Sequence, residues 1–200
     1  MLKSYAMKIT SFLVDIKDVN KKDYEVYKYG FNLSILFIIS TVIVFIVGIL
    51  FDKLFYSIVF LICYCSIRHF VGGYHDNSYI KYLLIFIFIF ILTIYTSANV
   101  DSQIYTLMIF IISTLSCVGI FILAPLEYRN NPLTLSEIKK YKKVSKILSG
   151  IVYILTLIFL NIESLNELSA YTCSSLFWVN IMLCLGIIFK NLLCIWLIEM

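Results

Sequence analysis

The sequence predicts an all-α, polytopic integral membrane protein: six transmembrane helices preceded by an N-terminal interfacial amphipathic helix. Two observations predict it. The 200-residue chain is 62% hydrophobic and 14% charged, with a mean hydropathy of +0.96. Ordinary soluble domains run about 45–50% apolar and about 25% charged. The apolar residues also gather into six solid runs. Alternating segments of about ten residues, which a β-barrel needs, are not seen. Helices remain, because they satisfy their own backbone in hydrocarbon. With 7 Gly and 2 Pro the chain has no linker-like stretch, so residues 1–200 read as one membrane domain.

Each element follows from the pattern. In residues 1–30, Leu2, Tyr5, Ala6, Ile9, Phe12, Leu13 and Ile16 form a helical stripe, with Lys3, Lys8, Asp15 and Lys17 opposite. A continuous apolar core and a small-residue cleavage site are both missing, which excludes a secretory signal and favours a helix lying in the interface. The first span covers about 31–51 and ends at the polar turn Asp52-Lys53. The second, about 54–67, is shorter than the roughly 20 residues a spanning helix needs. It either continues through His69-Phe70-Val71 or ends early against a re-entrant segment. Spans three and four cover about 82–98 and 104–123, followed by a long basic loop over 124–146. Spans five and six cover about 147–162 and 176–198, separated by a turn marked by Glu163 and Glu167. Lys190 within span six snorkels toward the headgroups.

Charge distribution orients the chain. Six lysines lie in the first thirty residues, Arg68 and Lys81 in the 68–81 loop, and Arg129, Lys139, Lys140, Lys142, Lys143 and Lys146 in the 124–146 loop. Together these are fourteen of the sixteen Lys+Arg, against Lys53 alone on the other side. The basic side of a membrane protein faces the cytoplasm, which puts both termini and both long loops there. The net charge of +4 thus serves orientation and attraction to membrane lipid, and nucleic-acid binding is not expected. The six cysteines lack paired metal-ligand spacing and read as small buried hydrophobes.

Polar chemistry concentrates in one segment, Arg68-His69-Phe70-Val71-Gly72-Gly73-Tyr74-His75. Polar and ionisable groups at a membrane boundary are costly, so function is their default explanation. Gly72-Gly73 permits a sharp turn or a close backbone approach. His75 is suited to general acid–base work near neutral pH, and the planar fork of Arg68 to a carboxylate or carbonyl. If the chain after His75 is helical, positions 78, 79 and 82 share its face. His69, His75 and Asp76 offer no dependable metal geometry, so neither a metal nor a cofactor is expected.

These residues resemble the signature of the AgrB-type accessory gene regulator peptidases of Gram-positive bacteria. A second block is similar to the family's interior loop: Ala124-Pro125-Leu126-Glu127, Asn130-Asn131-Pro132-Leu133-Thr134, and Glu137-Ile138-Lys139-Lys140-Tyr141-Lys142-Lys143, ending at Ser145. The resemblance covers essentially the whole chain. It implies a membrane-embedded cysteine endopeptidase that trims a small amphipathic pro-peptide at the cytoplasmic face, towards a cyclic quorum-sensing signal. His75 matches the family's base. Seven residues later, where the family has its cysteine nucleophile, stands Tyr82. A phenol titrates near 10 and a thiol near 8.5, so an imidazole deprotonates the thiol far more readily. Three alternatives follow: a pseudo-peptidase that binds without cutting, another nucleophile (Cys65 or Ser78), or altered activity, including pairing with an active paralogue. Lys139, Lys140, Lys142 and Lys143 are candidates to dock an acidic peptide tail. A homodimer is compatible with the sequence, and a small transporter is disfavoured because no repeat or broken helix is evident.

Overall fold

The computed structural model describes residues 11, 24–71, 79–97, 103–126 and 134–198. Among them it is all-helical, with six α-helices: α1 (Tyr24–Leu50), α2 (Leu54–Val71), α3 (Tyr79–Ser97), α4 (Gln103–Leu123), α5 (Leu135–Leu160) and α6 (Asn166–Ile198). A 3₁₀ turn, Glu163–Leu165, joins the last two. Leu54–Val71, Gln103–Leu123, Leu135–Leu160 and Glu163–Ile188 are long and apolar enough to cross a membrane. The apolar parts of the other two, Phe37–Leu50 and Leu84–Ser97, are shorter. The interfacial stripe foreseen in residues 1–30 lies outside the described residues, Ser11 and the first turns of α1 excepted.

Several helices depart from the expected spans, α1 among them, which starts at Tyr24 rather than near 31. α2 runs on to Val71, which is the longer of the two alternatives for the second span. α5 starts at Leu135, because Thr134 caps it: its hydroxyl accepts from the Glu137 N–H while the Glu137 carboxylate accepts from the Thr134 N–H at 2.8 Å. This reciprocal box satisfies donors that a helix start otherwise leaves open. The lysines expected in a loop therefore sit on a helix. α6 starts at Asn166, ten positions ahead of the apolar run that announced it, and continues unbroken through Lys190.

α6 is the hub, packing against α2, α3, α4 and α5, while α1 lies outside against α2 and α3. The core of the bundle is aromatic and aliphatic around Phe60, Tyr64, Phe90, Tyr171, Leu176 and Leu183, each at most 1% exposed. α5 and α6 also bury small polar residues. Ser145, Ser149, Thr156, Ser169, Thr172 and Ser175 are fully buried, and Thr156 donates across the interface to Thr172 at 2.9 Å. Most also return their hydroxyls to their own helix, as Ser149 does to Ser145 O at 2.7 Å. Lipid tails are as apolar as leucine, so helices in a membrane associate through close packing and such bonds rather than through expulsion of water.

Short turns close one end. After α1 the chain turns through Asp52 at φ 54°, a left-handed conformation that Asp tolerates better than most residues. Lys53 N–H returns to Gly48 O at 2.8 Å. A Cβ on Gly48 would stand 2.8 Å from Ser57 Oγ and 3.2 Å from Leu54 Cα, so only glycine permits that approach. Lys53 Nζ then reaches both carboxylate oxygens of Glu167 at 2.7 Å, tying the α1–α2 turn to the start of α6.

Candidate functional site

The last turn of α2 carries the start of the first motif. Ile67, Arg68 and Val71 are buried there, with Arg68 at 8% exposure, while His69 is exposed. A guanidinium sunk into a helical bundle near its end is costly to bury, and that cost marks the spot. Cys65, one turn earlier, is half-buried and Cys63 buried; both are free thiols.

Two contacts join this turn to the second motif block, more than fifty residues away. Leu126 N–H donates to Val71 O at 3.0 Å. Pro125, in a cis peptide with Ala124, follows the end of α4 at Leu123, as expected where proline bars helix continuation. Ala124 is buried against the same core. On the other side, the Phe70 ring meets Tyr141 of α5 edge-on, with centroids 5.7 Å apart at 85°, and His69 lies against Phe70 at 4.9 Å. Such edge-to-face pairs favour this geometry over loose contact. The motif end of α2 is thus held between the exit of α4 and the entry of α5.

Lys139, Lys140, Lys142 and Lys143 are exposed on the first turns of α5, and Tyr141 among them is half-buried. Lys146, one turn on, places its ammonium 5.7 Å from the Phe121 ring centroid. Tyr82 falls within the first turn of α3, so the family's nucleophile position is helical. Gly72, Gly73, His75 and Ser78 lie outside the described residues. The structure therefore brings Phe70 to Tyr141 and Val71 to Leu126, with Arg68 in the same last turn of α2. The partnership of Phe70 with Tyr141 and of Val71 with Leu126 was not anticipated from the sequence. The one available hint was that each pair falls within the two motif blocks.

Comparison with known proteins decides the family. The sequence profile described as Accessory gene regulator B matches residues 6–196, nearly the whole chain. The chain belongs to the accessory gene regulator B family. An AgrB-like protein 1 of Clostridium perfringens strain 13 is 31% identical over 121 residues, covering 58% of this chain and 62% of its own length. The match thus spans less than two thirds of that relative. An AgrB-like protein of C. perfringens strain SM101 is 32% identical over 155 residues, covering 74% of this chain and 68% of its own. No solved structure matches. Membership, with the apolar helices, makes this AgrB-family chain a membrane protein. At the level of the family, it supports a role in processing the quorum-sensing peptide of the accessory gene regulator system.

Proposed function

We propose that this AgrB-family chain handles a small amphipathic pro-peptide at the cytoplasmic face of the cell membrane, as a peptidase-like processor of a quorum-sensing signal. The carrying observation is the joint between the motif blocks, Val71 O to Leu126 N at 3.0 Å with Phe70 against Tyr141. Buried Arg68 and exposed His69 lie at the same end of the bundle as the lysine-rich start of α5. In this reading Arg68 holds a peptide carbonyl or carboxylate, Gly72-Gly73 lets the substrate backbone approach, and His75 acts as base. Lys139, Lys140, Lys142 and Lys143 draw in the peptide's acidic tail. The finer topology belongs to the same proposal: six spans, an interfacial helix in residues 1–30, and both termini in the cytoplasm of a Gram-positive cell. Reporter fusions in the segments around 76 and 130 test it; periplasm-type signals at either would overturn the topology.

A second reading is favoured by Tyr82 itself: a family member that binds the peptide, or regulates a paralogous peptidase, without cutting. Co-expression with the cognate peptide and mass spectrometry of the products separates the two. Cleavage that disappears in His75→Ala supports the peptidase. Cleavage seen only after Tyr82→Cys supports the non-cutting reading. Absence of both cleavage and peptide capture in every variant would sink both.

A further inference from the structure

α5 is two-faced, and its outward face changes character along its length. Ile147, Ile151, Ile154 and Ile158 recur at helical spacing and are each about half exposed, at 51%, 49%, 57% and 48%. The opposite face holds the buried Ser145, Ser149, Val152 and Thr156. Continuing the outward row backwards at steps of four and three residues leads to Lys143 and Lys140, both exposed. Lys142 instead continues the row of Ser145 and Ser149, toward the bundle, and Lys139 follows the row of Lys146. The capping box at Thr134 keeps these first turns helical, so the lysines hold this register.

We propose that Lys140 and Lys143 form a docking site for the phosphate headgroup of an anionic phospholipid, whose acyl chains lie along Ile147, Ile151, Ile154 and Ile158. At 1.5 Å per residue the two lysines lie about 6 and about 10 Å beyond Ile147 along the axis. With Ile147 at the hydrocarbon edge, Lys143 is rooted within the polar layer of a leaflet, about 5–8 Å thick, and Lys140 just past it, so flexible lysine stems bring both ammonium groups to phosphate depth. Charge complementarity selects an anionic over a zwitterionic headgroup. The site goes beyond the peptide-handling reading and overlaps it: Lys140 and Lys143 are two of the four lysines named there for the acidic tail, and a headgroup held on them leaves Lys139 and Lys142 to the peptide.

The test uses the full chain in vesicles of phosphatidylcholine alone or mixed equally with phosphatidylglycerol, followed by native mass spectrometry of retained lipid. Each lysine near a membrane surface contributes about fivefold to anionic-lipid binding. Lys140→Gln with Lys143→Gln is therefore expected to lower phosphatidylglycerol retention by about 25-fold. Lys139→Gln with Lys142→Gln is expected to lower it far less. The charge-conserving pair Lys140→Arg and Lys143→Arg is expected to retain the lipid, which separates lost charge from a damaged helix. Equal losses in the two glutamine pairs would overturn the proposal in favour of diffuse attraction. Unchanged retention in the Lys140/Lys143 pair, loss in the arginine pair, or equal retention of phosphatidylcholine would also overturn it.

Discussion

The two ends of the bundle handle charge in opposite ways. At one end the connections are tight: Asp52-Lys53 between α1 and α2, and the 3₁₀ turn before α6. There the cation is turned onto a partner within the same molecule, Lys53 bridging to Glu167 at 2.7 Å with the Tyr56 ring 5.1 Å beneath it. At the other end four lysines are exposed in the first turns of α5, and Arg68 is buried beside the joint of Val71 and Leu126. Charge paired internally holds helices in register. Charge turned outward is available to a peptide or a headgroup.

The largest expected effect that would break the comparison lies at the closed end. Gly48→Val sets a branched side chain where even a single carbon meets Ser57 Oγ at 2.8 Å, and the backbone of Leu54 leaves it nowhere to go. Overpacking of this kind costs about 1–3 kcal/mol. Reversible unfolding in mixed micelles reads it, with peptide handling by the surviving folded fraction unchanged. Next is Glu167→Ala. The Lys53–Glu167 pair is partly buried, with side chains 34% and 20% exposed, so its loss falls between a surface and a buried pair, at about 1–2 kcal/mol. A double-mutant cycle with Lys53→Ala isolates the coupling; additive losses would show that the tie contributes nothing. The smallest effect sharpens the contrast at the open end. Thr134→Ala removes the hydroxyl cap of α5 and costs about 1 kcal/mol. It appears as faster hydrogen exchange in residues 135–138, with the closed end left as it was.

Much of the helical layout was legible in the sequence, because hydropathy reports which residues prefer lipid. It places the apolar centres of all six helices and the turns at Asp52 and Glu163. It failed at the starts of α1, α5 and α6, and at α5 the capping box outweighed polarity. Thr134 and Glu137 spell a capping box at the right spacing, yet the lysines that follow suggested a loop. Ser169, Thr172 and Ser175 dilute the apolar signal of α6, although all three are buried and Thr172 bonds across to α5. The site was legible as two separated blocks. Their meeting was not, since a main-chain bond between Leu126 and Val71 leaves no trace in the identity of either residue. The family resemblance read from Arg68–His75 and 124–145 holds, as the match over residues 6–196 shows.

That same bond has a consequence for how such proteins diverge. A carbonyl and an amide are common to nearly every amino acid, so the clasp between Val71 and Leu126 tolerates exchange of either one for another apolar type. Only proline at 126 lacks the hydrogen it needs. Descendants of this chain are free to rewrite the surrounding side chains while inheriting the same clasp.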